Sequence, residues 1–152
     1  MPNPLLFADH WLLSIKSSLE PGDVRCLSPS ALAYVGDAVY ELYVRTHYLF
    51  PPKRSQSYHN QVVTHVRAES QAQQLRVLEP YLNNHERELL KKGRNATLKR
   101  PKRLSLGIYQ QASSLETLIG YLFLTDPSRL AELFSRLELD EIPPTTDTSS
   151  NE

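Results

Sequence analysis

The chain has 152 residues, 40% of them hydrophobic and 22% charged, which is the size and balance of one ordinary domain with a real core rather than of two. Seventeen basic residues offset seventeen acidic ones, so the totals single out neither nucleic acid nor membrane as a partner. The one cysteine, Cys26, excludes an intramolecular disulfide framework and a cysteine-based zinc cluster, and it fits a reducing compartment.

Apolar residues recur at helical spacing and almost nowhere at strand spacing, so the expected fold class is all-α, a helical bundle. Leu5, Leu6, Trp11, Leu12, Leu13 and Leu19 mark a first helix, closed by Pro21-Gly22. Cys26 falls in the loop that follows. This N-terminal stretch has an acid at Asp9 and no cation before Lys16, unlike a secretory signal or transit peptide. No apolar run approaches the roughly 20 residues of a membrane span, so a cytoplasmic location with no membrane partner is expected. Ser28 and Pro29 start a second helix that runs to about Leu49, before Pro51-Pro52. A polar amphipathic region from about Ser55 to Leu82 follows, broken near Arg67, with most of its charges solvated.

Asn84 is expected to cap a short helix ending at Lys92, with Gly93 in the left-handed position that helix ends favour. Arg94 to Leu106 contains Pro101 and no apolar period, and reads as a loop. A helix from about Ile108 to Leu124 follows, and Asp126-Pro127 starts a last helix reaching about Leu139. Pro143 to Glu152 has no hydrophobe to offset its ordering entropy. The expected organisation is one domain over residues 1–140 and a disordered acidic tail over 141–152.

Between Ala31 and Val44 the residues are apolar on nearly every helical face, so this helix is expected at the centre of the fold. Its only charges are Asp37 and Glu41, which share a face roughly opposite a stripe of Leu32, Val35, Val39 and Leu42. The second strongly apolar helix, Leu115 to Leu124, carries Glu116 as its only charge. Buried carboxylates persist when they are paired, hydrogen-bonded or bound to a metal. Glu41 has Arg45 one turn later, which leaves it open to an ion pair or to a ligand role. Asp37 and Glu116 have no cation one turn away on either side. Two such carboxylates suit a hard divalent ion such as Mg²⁺, which takes oxygen ligands; distant arginines or solvent are the alternative partners. Gly36 and Gly120 lie beside or one turn from these acids, where a missing Cβ would let the two helices approach. The five histidines include no i,i+4 pair that would suggest zinc.

Tyr34-Val35-Gly36-Asp37-Ala38-Val39 resembles the Gly-Asp signature helix of the ribonuclease III family, and Leu115-Glu116-Thr117-Leu118-Ile119-Gly120-Tyr121-Leu122-Phe123-Leu124 resembles its second acidic motif. Leu32-Ala33-Tyr34, Glu41, Ser70-Gln71-Ala72 and Lys92-Gly93-Arg94-Asn95-Ala96 narrow the likeness to the mini-ribonuclease III subgroup, a catalytic domain without the double-stranded-RNA-binding domain. The resemblance covers roughly Ser28 to Leu137. It implies a ribonuclease III-type endonuclease domain in which Asp37 and Glu116 are catalytic acids holding Mg²⁺ for phosphodiester hydrolysis, with 5′-phosphate and 3′-hydroxyl products. Larger family members carry two further acids, at the places of Ala33 and Ser113; here Glu41 is the residue that could restore some of that charge as a metal ligand. The resemblance also implies structured, double-stranded RNA as substrate, with maturation of the 23S ribosomal-RNA precursor as the family-level role. A homodimer is expected, since cutting both strands of a duplex needs two sites and one domain offers one.

The neutral total hides an uneven distribution. Residues 1–52 hold three basic and five acidic residues, residues 53–115 twelve and four, and residues 116–152 two and eight. Within the middle, Lys91, Lys92, Arg94, Lys99, Arg100, Lys102 and Arg103 place seven cations in thirteen residues with no acid among them. Such a stretch is a footprint for phosphates, and Asn95 could reach a sugar or a base edge. The expectation is therefore an Mg²⁺-dependent endoribonuclease with no small-molecule cofactor. A catalytically inactive RNA-binding or ribosome-associated module of the same fold is the alternative, and a helical interaction domain with no RNA role is a third reading.

Overall fold

The computed structural model describes residues 19–96 and 102–139, and the regular structure in them is entirely helical. The helices are α1 (Pro21–Cys26), α2 (Pro29–His47), α3 (Ser55–Val66), α4 (Ala68–Leu78), α5 (Asn84–Asn95), α6 (Leu106–Thr125) and α7 (Pro127–Phe134), with a 3₁₀ turn at Glu79–Tyr81. The expected first helix lies mostly outside the described residues, as does the acidic tail.

Local chemistry sets most boundaries. Ser28 accepts a hydrogen bond from the Ala31 amide at 3.1 Å, Ser105 from Ile108 at 3.2 Å, and Asp126 from Arg129 at 3.1 Å, each satisfying an N-terminal donor of the helix it starts. The break at Arg67 is real: its backbone is extended (φ −69°, ψ 159°) and separates α3 from α4. Several expectations are corrected. Pro21-Gly22 opens a helix instead of closing one, because Pro21 sits in its first turn and Asp23 accepts from the Glu20 amide at 2.7 Å. Cys26 therefore ends α1 and does not lie in a loop. The cap of α5 is Asn83, not Asn84, since Asn83 and Glu86 bond each other's amides at 2.8 and 2.9 Å in a capping box. The last helix stops at Phe134: the side-chain amide of Gln74 donates to the Glu138 carbonyl (2.6 Å) and accepts from its N–H (3.0 Å), taking both backbone groups from a continuing helix.

The centre of the bundle is α6, with α2, α4 and α5 packed around it and α7 folded back. Leu115, Leu118 and Leu122 are buried on it, each contributing about 2 kcal/mol by leaving water. Helix α2, the one expected at the centre, buries only a stripe of Leu32, Gly36, Tyr40 and Val44. Leu42, expected in the buried stripe, is 61% exposed, and Tyr34 is 83% exposed. The reason is Gly36, which draws the helix onto α6 along its own i, i+4 ridge. A Cβ on Gly36 would lie 1.8 Å from the Glu116 carbonyl oxygen, and one on Gly120 would lie 1.9 Å from that of Leu32.

Gly93 is corrected in the same way. It is a helical residue inside α5, with no left-handed backbone, and a Cβ there would meet the Thr117 hydroxyl at 2.6 Å and the Ser114 Cα at 2.9 Å. Its role is close packing against α6. On the far side, the fully buried Glu86 receives Arg129 in a two-pronged ion pair (2.9 and 2.8 Å) that fastens α7 to α5.

Candidate active site

A groove of about 410 Å³ opens where α2, α5 and α6 meet. Ser30, Ala33, Tyr34 and Asp37 line it from α2, at spacings of three, one and three residues that keep them on one helical face. Tyr109, Ser113, Glu116 and Thr117 line it from α6 by the same periodicity, and Gly93 and Ala96 close it from the end of α5. Ala33 and Ser113, the places of the extra acids in larger relatives of the resemblance, both face this space. Their small side chains leave it open.

The groove brings Asp37 and Glu116 together. Their helices touch at Gly36 and Gly120, so each acid is carried by a residue next to or one turn from a backbone contact. Burial pushes the Glu116 carboxyl up to about 7; the negative charge of Asp37 adds to this, and the polar side chain of Gln71 partly offsets it. Asp37 stands open to solvent at the mouth, and its carboxyl is also raised, by partial desolvation first and by the charge of Glu41 second. Neither acid has an ion pair among the described residues. Two carboxylates with raised pKa values and no cation to offset them among the described residues are an oxygen donor set that a hard divalent ion would satisfy.

Glu41 behaves differently. Its carboxylate accepts from the Arg45 guanidinium at 2.5 Å, the i,i+4 ion pair that its spacing allows. Among the described residues, no cluster of three or more acids, histidines or cysteines forms that could hold a metal, so the site is built on a pair.

The expected RNA-binding residues divide. Lys91, Lys92, Arg94 and Asn95 are exposed on the last turns of α5, not in a loop, while Lys102 and Arg103 are exposed just ahead of α6. Lys99 and Arg100 lie outside the described residues. Among the described residues, Ala96 lines the groove at the end of α5 and Tyr109 lines it in α6.

Two features of the groove do not emerge from the sequence reading. Tyr109 lines it, a position that the spacing of 109, 113 and 116 on one helix signals. Thr117 is buried, and its hydroxyl is shared between the carbonyls of Ser113 (2.9 Å) and Pro29 (3.2 Å), joining α6 to the start of α2 beside the groove.

Comparison with known proteins places this arrangement. Residues 30–127 match the model of the Ribonuclease III domain. The chain is 52% identical over 141 residues to the Mini-ribonuclease 3 of Synechocystis, covering 91% of this chain and 97% of the relative. It is 36% identical over 115 residues to the Mini-ribonuclease 3 of Clostridium tetani, covering 73% and 76%. A crystal structure of a protein from Fusobacterium nucleatum superposes with a TM-score of 0.68 at 25% identity, over 73% of this chain and 92% of that one.

Proposed function

The chain belongs to the ribonuclease III family, in its mini-ribonuclease 3 branch, and is thus an endoribonuclease; from that premise we propose that it hydrolyses double-stranded RNA with Mg²⁺ held by Asp37 and Glu116. The observation that carries this reading is the Asp37–Glu116 pair itself: two acids on adjoining helices, at one groove, each raised by burial and negative charge and neither in an ion pair among the described residues. The chemistry that Mg²⁺ supplies when bound is activation of water and stabilisation of charge on the phosphate oxygens.

The chain's own residues do the rest. Asp37 and Glu116 offer oxygen ligands and bring negative charge that the cation offsets. Ala33, Ser113 and Gly93 keep the groove clear, so that a phosphodiester can approach the acids without a clash. Glu41, ion-paired with Arg45, is left out of the proposed ligand set. The exposed Lys91, Lys92, Arg94, Lys102 and Arg103, with Lys99 and Arg100 between them, bind the backbone of the duplex, and Asn95 contacts a sugar or base edge. The proposed biological substrate is a ribosomal-RNA precursor, in the cytoplasm. That setting is supported by the unpaired Cys26 and by the lack, among the described residues, of any helix long and apolar enough to cross a membrane.

Asp37→Asn and Glu116→Gln are expected to abolish Mg²⁺-dependent cleavage of duplex RNA while most duplex affinity remains. A cleavage assay with and without Mg²⁺, beside a binding titration, checks this. Substantial cleavage by either variant would overturn the role assigned to that acid, and binding without cleavage by the unaltered chain would favour the inactive RNA-binding module.

The working unit is proposed to be a homodimer. Helix α2 leaves Tyr34 and Leu42 exposed, an apolar face that starts at the groove and suits a second copy whose own site meets the opposite strand. Sedimentation at micromolar concentration should give a dimer that Leu42→Glu dissociates; a fully active monomer would refute it.

A further inference from the structure

Among the described residues that line the groove, Asp37 and Glu116 are negatively charged and none is basic; the exposed cations lie outside the lining. A nucleic-acid strand in the groove therefore depends on neutral groups for its contacts away from the two acids. Thr117 is not one of them, because its one hydroxyl proton is already shared between the carbonyls of Ser113 and Pro29. The other hydroxyls of the lining belong to Ser30, Tyr34, Tyr109 and Ser113.

Tyr109 differs from the other three in how it is held. Its amide donates to the Ser105 carbonyl at 3.1 Å, and the Ser105 hydroxyl accepts from Ile108 at 3.2 Å, so the residue sits on a closed and capped first turn of α6. It is half-buried, whereas Ser30 is exposed and Tyr34 is exposed on the face proposed above for a second copy. Ser113 carries only a short hydroxymethyl. A tyrosine side chain turns about two torsions, so a phenol braced on a helix has long reach and loses little entropy in making a contact. The Tyr109 hydroxyl has no hydrogen-bond partner among the described residues. No buried side-chain polar atom lacks a partner there, so this hydroxyl is accessible from the groove.

Position decides what the phenol can meet. Tyr109 and Glu116 share one face of α6, two turns apart, which is about 10 Å at 1.5 Å per residue. That separation puts the phenol beside a neighbouring nucleotide, away from the phosphate on which the acids would act. A phosphate oxygen is charged and only accepts, and it is better met by the metal or by the exposed cations. A ribose 2′-hydroxyl is neutral and both donates and accepts, as a phenol does, and the shallow minor groove of A-form RNA displays it.

We propose, resting on the reading of this groove as a duplex-RNA cleavage site, that the Tyr109 hydroxyl hydrogen-bonds the ribose 2′-hydroxyl of a nucleotide flanking the scissile phosphate. Tyr109 is then a specificity-determining residue, by which the chain tells RNA from DNA at that nucleotide.

The test is a cycle between Tyr109→Phe and single 2′-deoxy substitutions, placed in turn at the nucleotides flanking the cut in an RNA duplex, with kcat/KM measured at saturating Mg²⁺. In the unaltered chain, deoxy substitution at one such position should lower kcat/KM by about 3- to 10-fold, the usual size of one hydrogen bond. Tyr109→Phe keeps the ring and loses only the hydroxyl. It should lower cleavage of the all-ribose duplex by a similar factor, and the deoxy substitution should then have no further effect. Its melting temperature and Mg²⁺ midpoint should match those of the unaltered chain, because the hydroxyl has no partner in the fold. Equal cleavage by Tyr109→Phe would overturn the inference. Deoxy penalties that persist in full beside Tyr109→Phe would also overturn it, by assigning the phenol to another group such as a phosphate. A lower melting temperature or a raised Mg²⁺ midpoint would do so by assigning the hydroxyl to the fold or to the acids. The functional reading survives each of these results; it falls, and the inference with it, if the unaltered chain leaves the duplex uncut in Mg²⁺.

Discussion

Gly36 and Gly120 stand back to back where α2 crosses α6: a Cβ on the first would fall 1.8 Å from the Glu116 carbonyl oxygen, and one on the second 1.9 Å from that of Leu32. The obstruction on each side is backbone, which cannot swing away as a side-chain tip can. This contact therefore sets the spacing of the two helices, and with it the separation of Asp37, next to Gly36, from Glu116, one turn before Gly120. This close helix contact and the proposed metal site are one feature.

Gly36→Ala should consequently cost about 3 kcal/mol or more, at the top of the usual range for overpacking, and should lower cleavage in whatever fraction stays folded. Gly107 is the matched control. It lies in the first turn of α6 with nothing within 4 Å of where its Cβ would stand, so Gly107→Ala should be neutral or stabilise by up to about 1 kcal/mol. Urea denaturation of the three proteins makes the comparison; equal midpoints would refute the packing account.

What is legible in the sequence follows from how local its cause is. Ser28-Pro29, Asp126-Pro127 and the break at Arg67 are decided by caps and backbone preferences within four residues, and the structure has them. The pairing of Asp37 with Glu116 is legible because a charge in an apolar helix needs a partner and the glycines mark where the helices meet. Gly93 misleads because a glycine near the expected end of a helix looks the same whether it ends it or packs against a neighbour; only Thr117 and Ser114 of α6 distinguish the two. The buried face of α2 departs from expectation for a related reason. With apolar residues on nearly every side, periodicity cannot choose between the ridge through Val35 and Val39 and the one through Gly36 and Tyr40, and packing against α6 makes the choice. The ion pair of Glu86 gives no signal in the sequence, since its partner Arg129 is remote.

The raised carboxyl of Glu116 makes a prediction about pH. Its value moves from an ordinary 4.5 to about 7 on folding, so between these limits the folded chain holds a proton that the unfolded chain has released. Unfolding free energy must then fall as pH rises through that window, and metal-free protein should be more stable at pH 5 than at pH 7.5, by at most about 3 kcal/mol. Asp37 acts in the same direction. Glu86 acts oppositely, because Arg129 lowers its carboxyl, but that stability is lost only below the ordinary carboxylate range and does not disturb the window. Glu116→Gln should flatten the metal-free profile and be equal to or more stable than the unaltered chain at neutral pH. Adding Mg²⁺ should stabilise the unaltered chain more at pH 7.5 than at pH 5 and leave the variant unchanged. Melting temperatures across pH 5–8, with and without Mg²⁺, decide the matter; a variant that unfolds without metal would show that the acid serves the fold, and one that keeps the slope would show that another group carries the pH dependence.

The cationic stretch should supply affinity and not chemistry. Lys102 and Arg103 are exposed between α5 and α6, two of the three helices that line the groove, so they can meet a phosphate backbone already lying across Asp37 and Glu116, yet neither is among the residues facing those acids. Replacing Arg100, Lys102 and Arg103 together by Ala removes three charges that would displace counterions from RNA. Duplex affinity should weaken, and its dependence on salt should flatten by at most roughly one unit of logarithmic slope for each phosphate that is no longer neutralised. The single-turnover cleavage rate at saturating RNA should hardly move, because the acids proposed to hold the metal are untouched. Binding measured between 50 and 200 mM salt (the range over which affinity changes by about 10³ or more when six to ten phosphates are engaged) gives the slope, and rapid-mixing cleavage gives the rate. A collapse of that rate with affinity preserved would mean that a cation of this stretch reaches the scissile phosphate, and the separation of binding from chemistry would fail.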